Sequence, residues 1–249
     1  MNRIVSTALL SILAACLCGD AALAQWSGRA TASMGRSYGN LALSQSILSG
    51  TRRLGDAAPS RPTGAVPALT PAQIDAAVSY TADPQRSERT RAAMIEVMGG
   101  SDRALRAELE KAFAYNAVLK EFERVMSENG YSNHNIADNM TVLLQVSWET
   151  FSGSTASKAQ IRGIRQQVLG IFVGTPALRA MTNADRQDWA ERIAYQVVLG
   201  TLARQEALRS GDPARLKQIR QSTAAMLQAQ VGIDMSQLRL TEQGFRKKS

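Results

Sequence analysis

The sequence predicts an all-α fold, an antiparallel multi-helix bundle preceded by a signal peptide and a flexible leader. Three observations point there. In SNHNIADNMTVLLQVSWETF (132–151), Ile136, Met140, Leu143, Leu144, Ser147, Trp148 and Phe151 recur at steps that place them on one face of a 3.6-residue helix. Helix-start signals recur downstream of residue 69: Thr70-Pro71, Asp83-Pro84 and Asp212-Pro213 each set a capping side chain before a proline at the first helical position. No run of alternating apolar residues is long enough for a sheet, and no segment repeats.

Residues 1–24 read as a signal peptide, with Arg3 in the positive n-region, an apolar run from Ile4 to Cys18, and Ala22-Leu23-Ala24 as a small-residue cleavage site before Gln25. That run of 15 residues falls short of the ~20 that span a bilayer, so no membrane span is expected after processing. A competing reading lies inside it, because Leu13-Ala14-Ala15-Cys16 resembles a lipoprotein lipobox, in which Cys16 would be acylated. Against it, the run stays apolar past Cys16 and leaves Cys18 without a partner. Cleavage after Ala24 removes both cysteines and with them any disulfide, thiolate nucleophile or cysteine metal site. The protein is then expected in the periplasm or secreted.

Residues 25–69 turn to Gly, Ser, Ala, Arg and Pro, a composition that cannot bury enough surface to offset its own ordering, and form the leader, with one short helix expected at 39–49. The helical domain covers 70–245 and a basic tail 246–249. Its first helix runs from Pro71 to about Ser79 and the second from Pro84 to about Met98 before Gly99-Gly100. Ser101 is expected to cap one long helix over 102–129, with Leu105, Leu109, Ala112, Phe113, Leu119, Phe122, Val125 and Met126 inward. The helix of 132–151 follows, capped by Ser132, with Trp148 packed among Leu109, Phe113 and later helices. Asn135, Asp138, Asn139, Gln145 and Glu149 fall on its opposite face and are expected in water.

Ser154 or Ser157 caps the next helix, which ends near Gly174 and Pro176. Thr182 with Asp185 starts a helix over 183–210, in which Ala190, Ala194, Gly200 and Ala203 leave room for a neighbour. Gly211-Asp212-Pro213 supplies a C′ glycine, an N-cap and an N1 proline in succession, predicting two helices folded back on each other by a tight turn. The last helix ends at Gly232, after which Leu238, Leu240 and Phe245 are expected to pack back onto the bundle.

Four segments, NIADNMTVLLQVSW (135–148), DRQDWAERIAYQVVLG (185–200), GDPARLKQIRQSTA (211–224) and LRLTEQGF (238–245), resemble a family of exported, mostly proteobacterial proteins catalogued only as a domain of unknown function. The resemblance spans roughly 70–245, leaves the leader unaligned, and implies a helical fold with no assigned catalytic residue.

Chemistry is sparse. His134 is the only histidine; with Asp138 four residues on, it has the spacing of a metal pair or of a base with its orienting carboxylate, and Glu149 beside Trp148 offers a second acid. The plainer reading is a solvated histidine in a first turn and a surface glutamate. No nucleophile elbow, phosphate loop or dinucleotide fingerprint occurs, and no metal or cofactor is expected.

The formal charge is +8, with 23 arginines against 6 lysines, and cleavage at Ala24 keeps it at +8. Arg162 and Arg165, with Arg204, Arg209, Arg215, Lys217 and Arg220, are placed to form a basic surface at one end of the bundle. Arg215, Lys217 and Arg220 are the candidate binding residues, and the expected partner is an envelope protein or an acidic envelope polymer. Few aromatics interleave with these cations, so nucleic acid is not expected. The sequence therefore predicts a non-catalytic binding or structural domain, with an envelope hydrolase using carboxylates near His134 as the alternative.

Overall fold

The computed structural model describes residues 69–248, and the expectations for the signal peptide and leader lie outside them. The described residues are mostly helical. Thr70 and Gln73 form a capping box at the start of α1 (Pro71–Val78), and Asp83 caps α2 (Pro84–Gly99) by accepting from the backbone of Gln85. The single helix expected over 102–129 is instead α3 (Arg103–Ala112), capped by Asp102 rather than Ser101, and α4 (Ala117–Glu128). Between them Tyr115 and Asn116 take left-handed backbone angles, φ 55° and 56°. The break has a packing cause. At about 100° per residue, an unbroken helix would turn Val118 about 180° from Leu109. Both side chains are buried, so the chain rephases between them.

Asn135, not Ser132, caps α5 (Ile136–Ser152), because its side chain takes the N–H groups of Ala137 and Asp138. Ser157 and Gln160 box the start of α6 (Lys158–Gly174), and the short α7 (Pro176–Arg179) follows. Thr182 and Asp185 box the start of the longest helix, α8 (Asn183–Ser210). The tight turn falls as expected: Gly211 sits at φ 66°, Asp212 accepts from Ala214 and Arg215, and Pro213 opens α9 (Pro213–Val231).

α5 and α8 pack on each other and organise the rest. α5 also meets α6 and α9, while α8 meets α2, α4 and α9. Ala190, Ala194 and Ala203 are buried at these contacts, whereas Gly200 faces open space. Phe113 packs tilted against Tyr195 with centroids 5.1 Å apart, and Phe172 lies near Trp189 at 5.7 Å.

Two expectations about α5 are corrected. Asn135, Asp138, Asn139, Gln145 and Glu149 are all buried, because α6, α8 and α9 pack around the helix and the loops at both ends hydrogen-bond to its polar side. Trp148 is only partly buried and meets the C-terminal segment rather than Leu109 and Phe113, with Phe245 edge-on at 5.7 Å.

That segment corrects the expectation of no sheet. β1 (Leu238–Thr241) and β2 (Gly244–Lys247) pair antiparallel, with Leu240 opposite Phe245 and Arg239 opposite Arg246. Strands of four residues are too short to stand out as an alternating pattern. Leu238 and Phe245 are buried and Leu240 packs against the core, as expected of them. α6 holds the hairpin through three residues on one face. The Gln167 amide bonds both the N–H and the C=O of Phe245, at 2.7 and 2.9 Å, and Gln160 donates to Leu240 C=O at 3.1 Å. Between them Gly163 lies so close that a Cβ there would meet the Gly244 nitrogen at 2.3 Å.

Candidate functional site

The residues singled out for chemistry do not converge. His134 precedes α5, is exposed, and lies edge-on to Tyr80 at 5.3 Å, while its C=O accepts from the Tyr80 N–H. Asp138 is buried and divided between two structural duties: Oδ1 accepts from Arg165 Nε at 2.6 Å and Oδ2 from the Ser132 N–H at 3.1 Å. Glu149 Oε1 accepts from the Ala156 N–H at 3.1 Å and from Gln145 at 3.2 Å, which ties down the loop leaving α5. Eleven residues separate the two carboxylates along one helix, about 16 Å of rise, far beyond the spacing of a catalytic acid pair. Each carboxylate closes a loop at one end of α5.

A buried polar cluster that the sequence reading did not identify lies between α2 and α8. Glu191 Oε1 accepts from Ser87 Oγ at 2.6 Å and from Gln187 Nε2 at 2.8 Å. Gln187 in turn bridges to Asp83, donating to its C=O and accepting from its N–H. The Thr90 hydroxyl faces the same carboxylate, yet Glu191 Oε2 has no hydrogen bond of good geometry, and neither does the Tyr195 hydroxyl one turn on. Burial lifts the Glu191 carboxyl above its ordinary range, with the bonds from Ser87 and Gln187 opposing the lift. Burial, reinforced by the Glu191 charge, also raises the Tyr80 and Tyr195 hydroxyls. The available sequence signal was the i, i+4 spacing of Gln187, Glu191 and Tyr195.

The candidate binding residues lie on α9, whose sequence carries Arg215, Lys217 and Arg220 and no acidic residue. Lys217 and Arg220 are exposed and Arg215 is partly buried. Across the turn, Arg209 pairs with Glu206 at 2.7 Å, and the Glu206 carboxyl is held below its ordinary range by that hydrogen bond first and by Arg209 and Arg215 charge after it. Arg220 reaches toward the end of α5, its guanidinium beside Gly153. The arrangement supplies cations from two helices at one end of the fold. Arg165 does not join them, since it serves Asp138.

Among the described residues no three His, Cys, Asp or Glu side chains come together as metal ligands, and no helix is long and apolar enough to cross a membrane. A family model described as "Family of unknown function (DUF6683)" matches residues 5–248, and so takes in the leader that the resemblance left unaligned. Neither a curated protein nor a solved structure matches the chain.

Proposed function

Since the chain belongs to the family of unknown function DUF6683, whose description assigns no chemistry, we propose from its own residues that it is an exported cell-envelope protein that binds an acidic partner without catalysis. The observation that carries this reading is the cationic turn between α8 and α9. Arg215, Lys217 and Arg220 stand on a helix without a single carboxylate, next to Arg209 at the end of α8. Arg215, in the first turn of α9, opposes the helix macrodipole, so its placement does not serve helix stability. An acidic envelope polymer or the acidic face of an envelope protein would complement this concentration of cations. Export rests on residues 1–24, with cleavage between Ala24 and Gln25 and acylation at Cys16 as the other route to the envelope.

The test is a titration of the purified chain with poly-glutamate as the acidic probe. Binding should weaken steeply as salt rises toward physiological strength, where charges are screened over ~8 Å. Replacing Arg215, Lys217 and Arg220 together with Gln should weaken binding roughly tenfold or more while leaving the circular dichroism spectrum unchanged. His134→Ala should bind as the parent does. Absence of salt-dependent binding, or full binding by the triple variant, would overturn the proposal.

A further inference from the structure

The buried cluster between α2 and α8 has a fixed hydrogen-bond polarity, and that polarity determines where a proton can reside. The Asp83 N–H can only donate and its C=O can only accept, so the Gln187 amide that bonds both, at 2.9 and 2.8 Å, has one orientation. Its Nε2 is therefore the donor to Glu191 Oε1 at 2.8 Å. Ser87 Oγ lies 2.6 Å from the same oxygen and 3.4 Å from the Asp83 C=O, so its proton goes to Oε1 as well. Oε1 is thus an acceptor twice over, while Oε2 is buried with no hydrogen-bond partner.

The two protonation states of Glu191 fit these surroundings differently. An ionised carboxylate keeps charge on a buried oxygen to which nothing donates, which is costly. A neutral carboxyl leaves Oε1 as the acceptor and carries its proton on Oε2, with the Thr90 hydroxyl facing the group from α2. Burial favours the neutral form, and so does the charge of Asp188, itself paired with Arg86 at 2.7 Å. The charged and titratable groups of the neighbouring elements face the flanking tyrosines. His134 lies edge-on to Tyr80 and Glu123 of α4 acts on it, while Glu88 and Arg91 of α2 act on Tyr195.

We propose that a neutral Glu191 carboxyl latches the first turns of α2 to α8, and that loss of its proton as pH rises releases them. Ser87 and Thr90 stand in those turns and Asp83 caps them, so the α2 side of the cluster moves as one piece. Opening brings Glu191 into water, where it holds its proton less tightly, so the open form gains as pH rises. The latch uses no residue of α9, and its failure would leave the binding reading untouched.

The experiment follows amide hydrogen exchange by NMR in the full chain from acid to neutral pH, corrected for the chemical exchange rate at each pH, together with the Glu191 carboxyl signal. The amides of Thr90 and Arg91 should exchange faster than those of Val168 and Phe172 in α6, because α2 opens while the rest stays folded. Their protection should fall roughly tenfold or more as pH rises through the Glu191 titration. Glu191→Gln keeps the neutral shape and should hold α2 protection constant. Should that variant misfold, Ser87→Ala removes a donor that favours the ionised form, so the loss should extend to higher pH. The proposal is overturned by α2 protection that does not change with pH in the parent, or by an unaltered pH dependence in either folded variant. Equal protection of α2 and α6 throughout would also overturn it, since the chain would then open only as a whole.

Discussion

α5 and α9 lie against each other, yet one is enclosed and the other is a wall. Thirteen of the 17 residues of α5 are buried, whereas of the 19 in α9 only Leu227 and Val231 are. The apolar stripe of α5 includes Trp148 and Phe151, whereas that of α9 has no aromatic. The fate of the polar side also separates them. On α5 it binds the loops at both ends through Asp138, Asn139 and Glu149. On α9 it holds Lys217, Gln218, Arg220 and Gln221 in solvent. A buried polar side stabilises only when its groups are matched, and an exposed one is free to meet a partner.

The widest gap between the two helices should appear on truncating an apolar residue in each. Leu144, fully buried in α5, should cost about 2–5 kcal/mol as Leu144→Ala. Ile219, partly buried on α9, loses less packing and should cost about 1 kcal/mol as Ile219→Ala. Urea midpoints of the two variants check this. Equal losses would break the comparison, because α9 would then be as central as α5.

Next in size is the polar side of α5 itself. Asp138→Ala removes the acceptor of both Arg165 and the Ser132 N–H. The Arg165 side chain is 38% exposed and keeps its water, so the loss is that of the hydrogen bonds, about 1.5–3 kcal/mol, rather than that of a stranded buried charge. A urea midpoint within error of the parent would mean that the enclosure of α5 is incidental to stability.

These residues also show what the sequence could carry. Most helix starts were legible because caps are local: Thr70, Asp83, Thr182, Asp185 and Asp212 act within three residues of themselves, although Asp102 and Asn135 took the caps expected of Ser101 and Ser132. The kink at Tyr115 and Asn116 was not, because it is imposed by the need to bury both Leu109 and Val118 against other helices. The enclosure of Asp138 and Glu149 was hidden for the same reason, since their partners Arg165 and Ala156 lie in later segments. Periodicity reports which face is apolar and is silent about a loop folding over the other. The close fit of Arg106 against Gly99 spans the turn between α2 and α3, and Gly99-Gly100 was legible only as a helix stop.

The buried polar groups of α8 sharpen the comparison, since Glu191 is matched less completely than Asp138. Its carboxyl titrates above the ordinary range because burial disfavours the charged form. A group raised on folding contributes stability that is fully present below its unfolded value and is lost as pH rises through the folded one. The difference in stability between the parent and Glu191→Gln should therefore change with pH in that window, the parent losing ground as pH rises. The change should be smaller than the loss in Asp138→Ala, because Ser87 and Gln187 already oppose the lift. Thermal melts of both proteins from acid to neutral pH check it. A pH-independent difference would mean that Glu191 titrates no higher folded than unfolded.

The smallest effects belong to the turn that launches α9, and there the order of two neighbours is the test. Asp212 accepts from the Ala214 and Arg215 N–H groups at 2.9 and 3.2 Å, so Asp212→Ala strands two donors at a helix start and should cost about 0.5–2 kcal/mol. Pro213 gives no hydrogen bond, and its position in the first turn needs none. Pro213→Ala should change stability by no more than a few tenths of a kcal/mol, through the greater freedom of the unfolded chain. Both residues are exposed, so no cavity or lost burial confuses the ranking. Should Pro213→Ala prove the costlier, α9 would owe its position to the rigidity of the turn rather than to its cap. The wall would then be set by the chain entering it, as α5 is set by the loops folded over it.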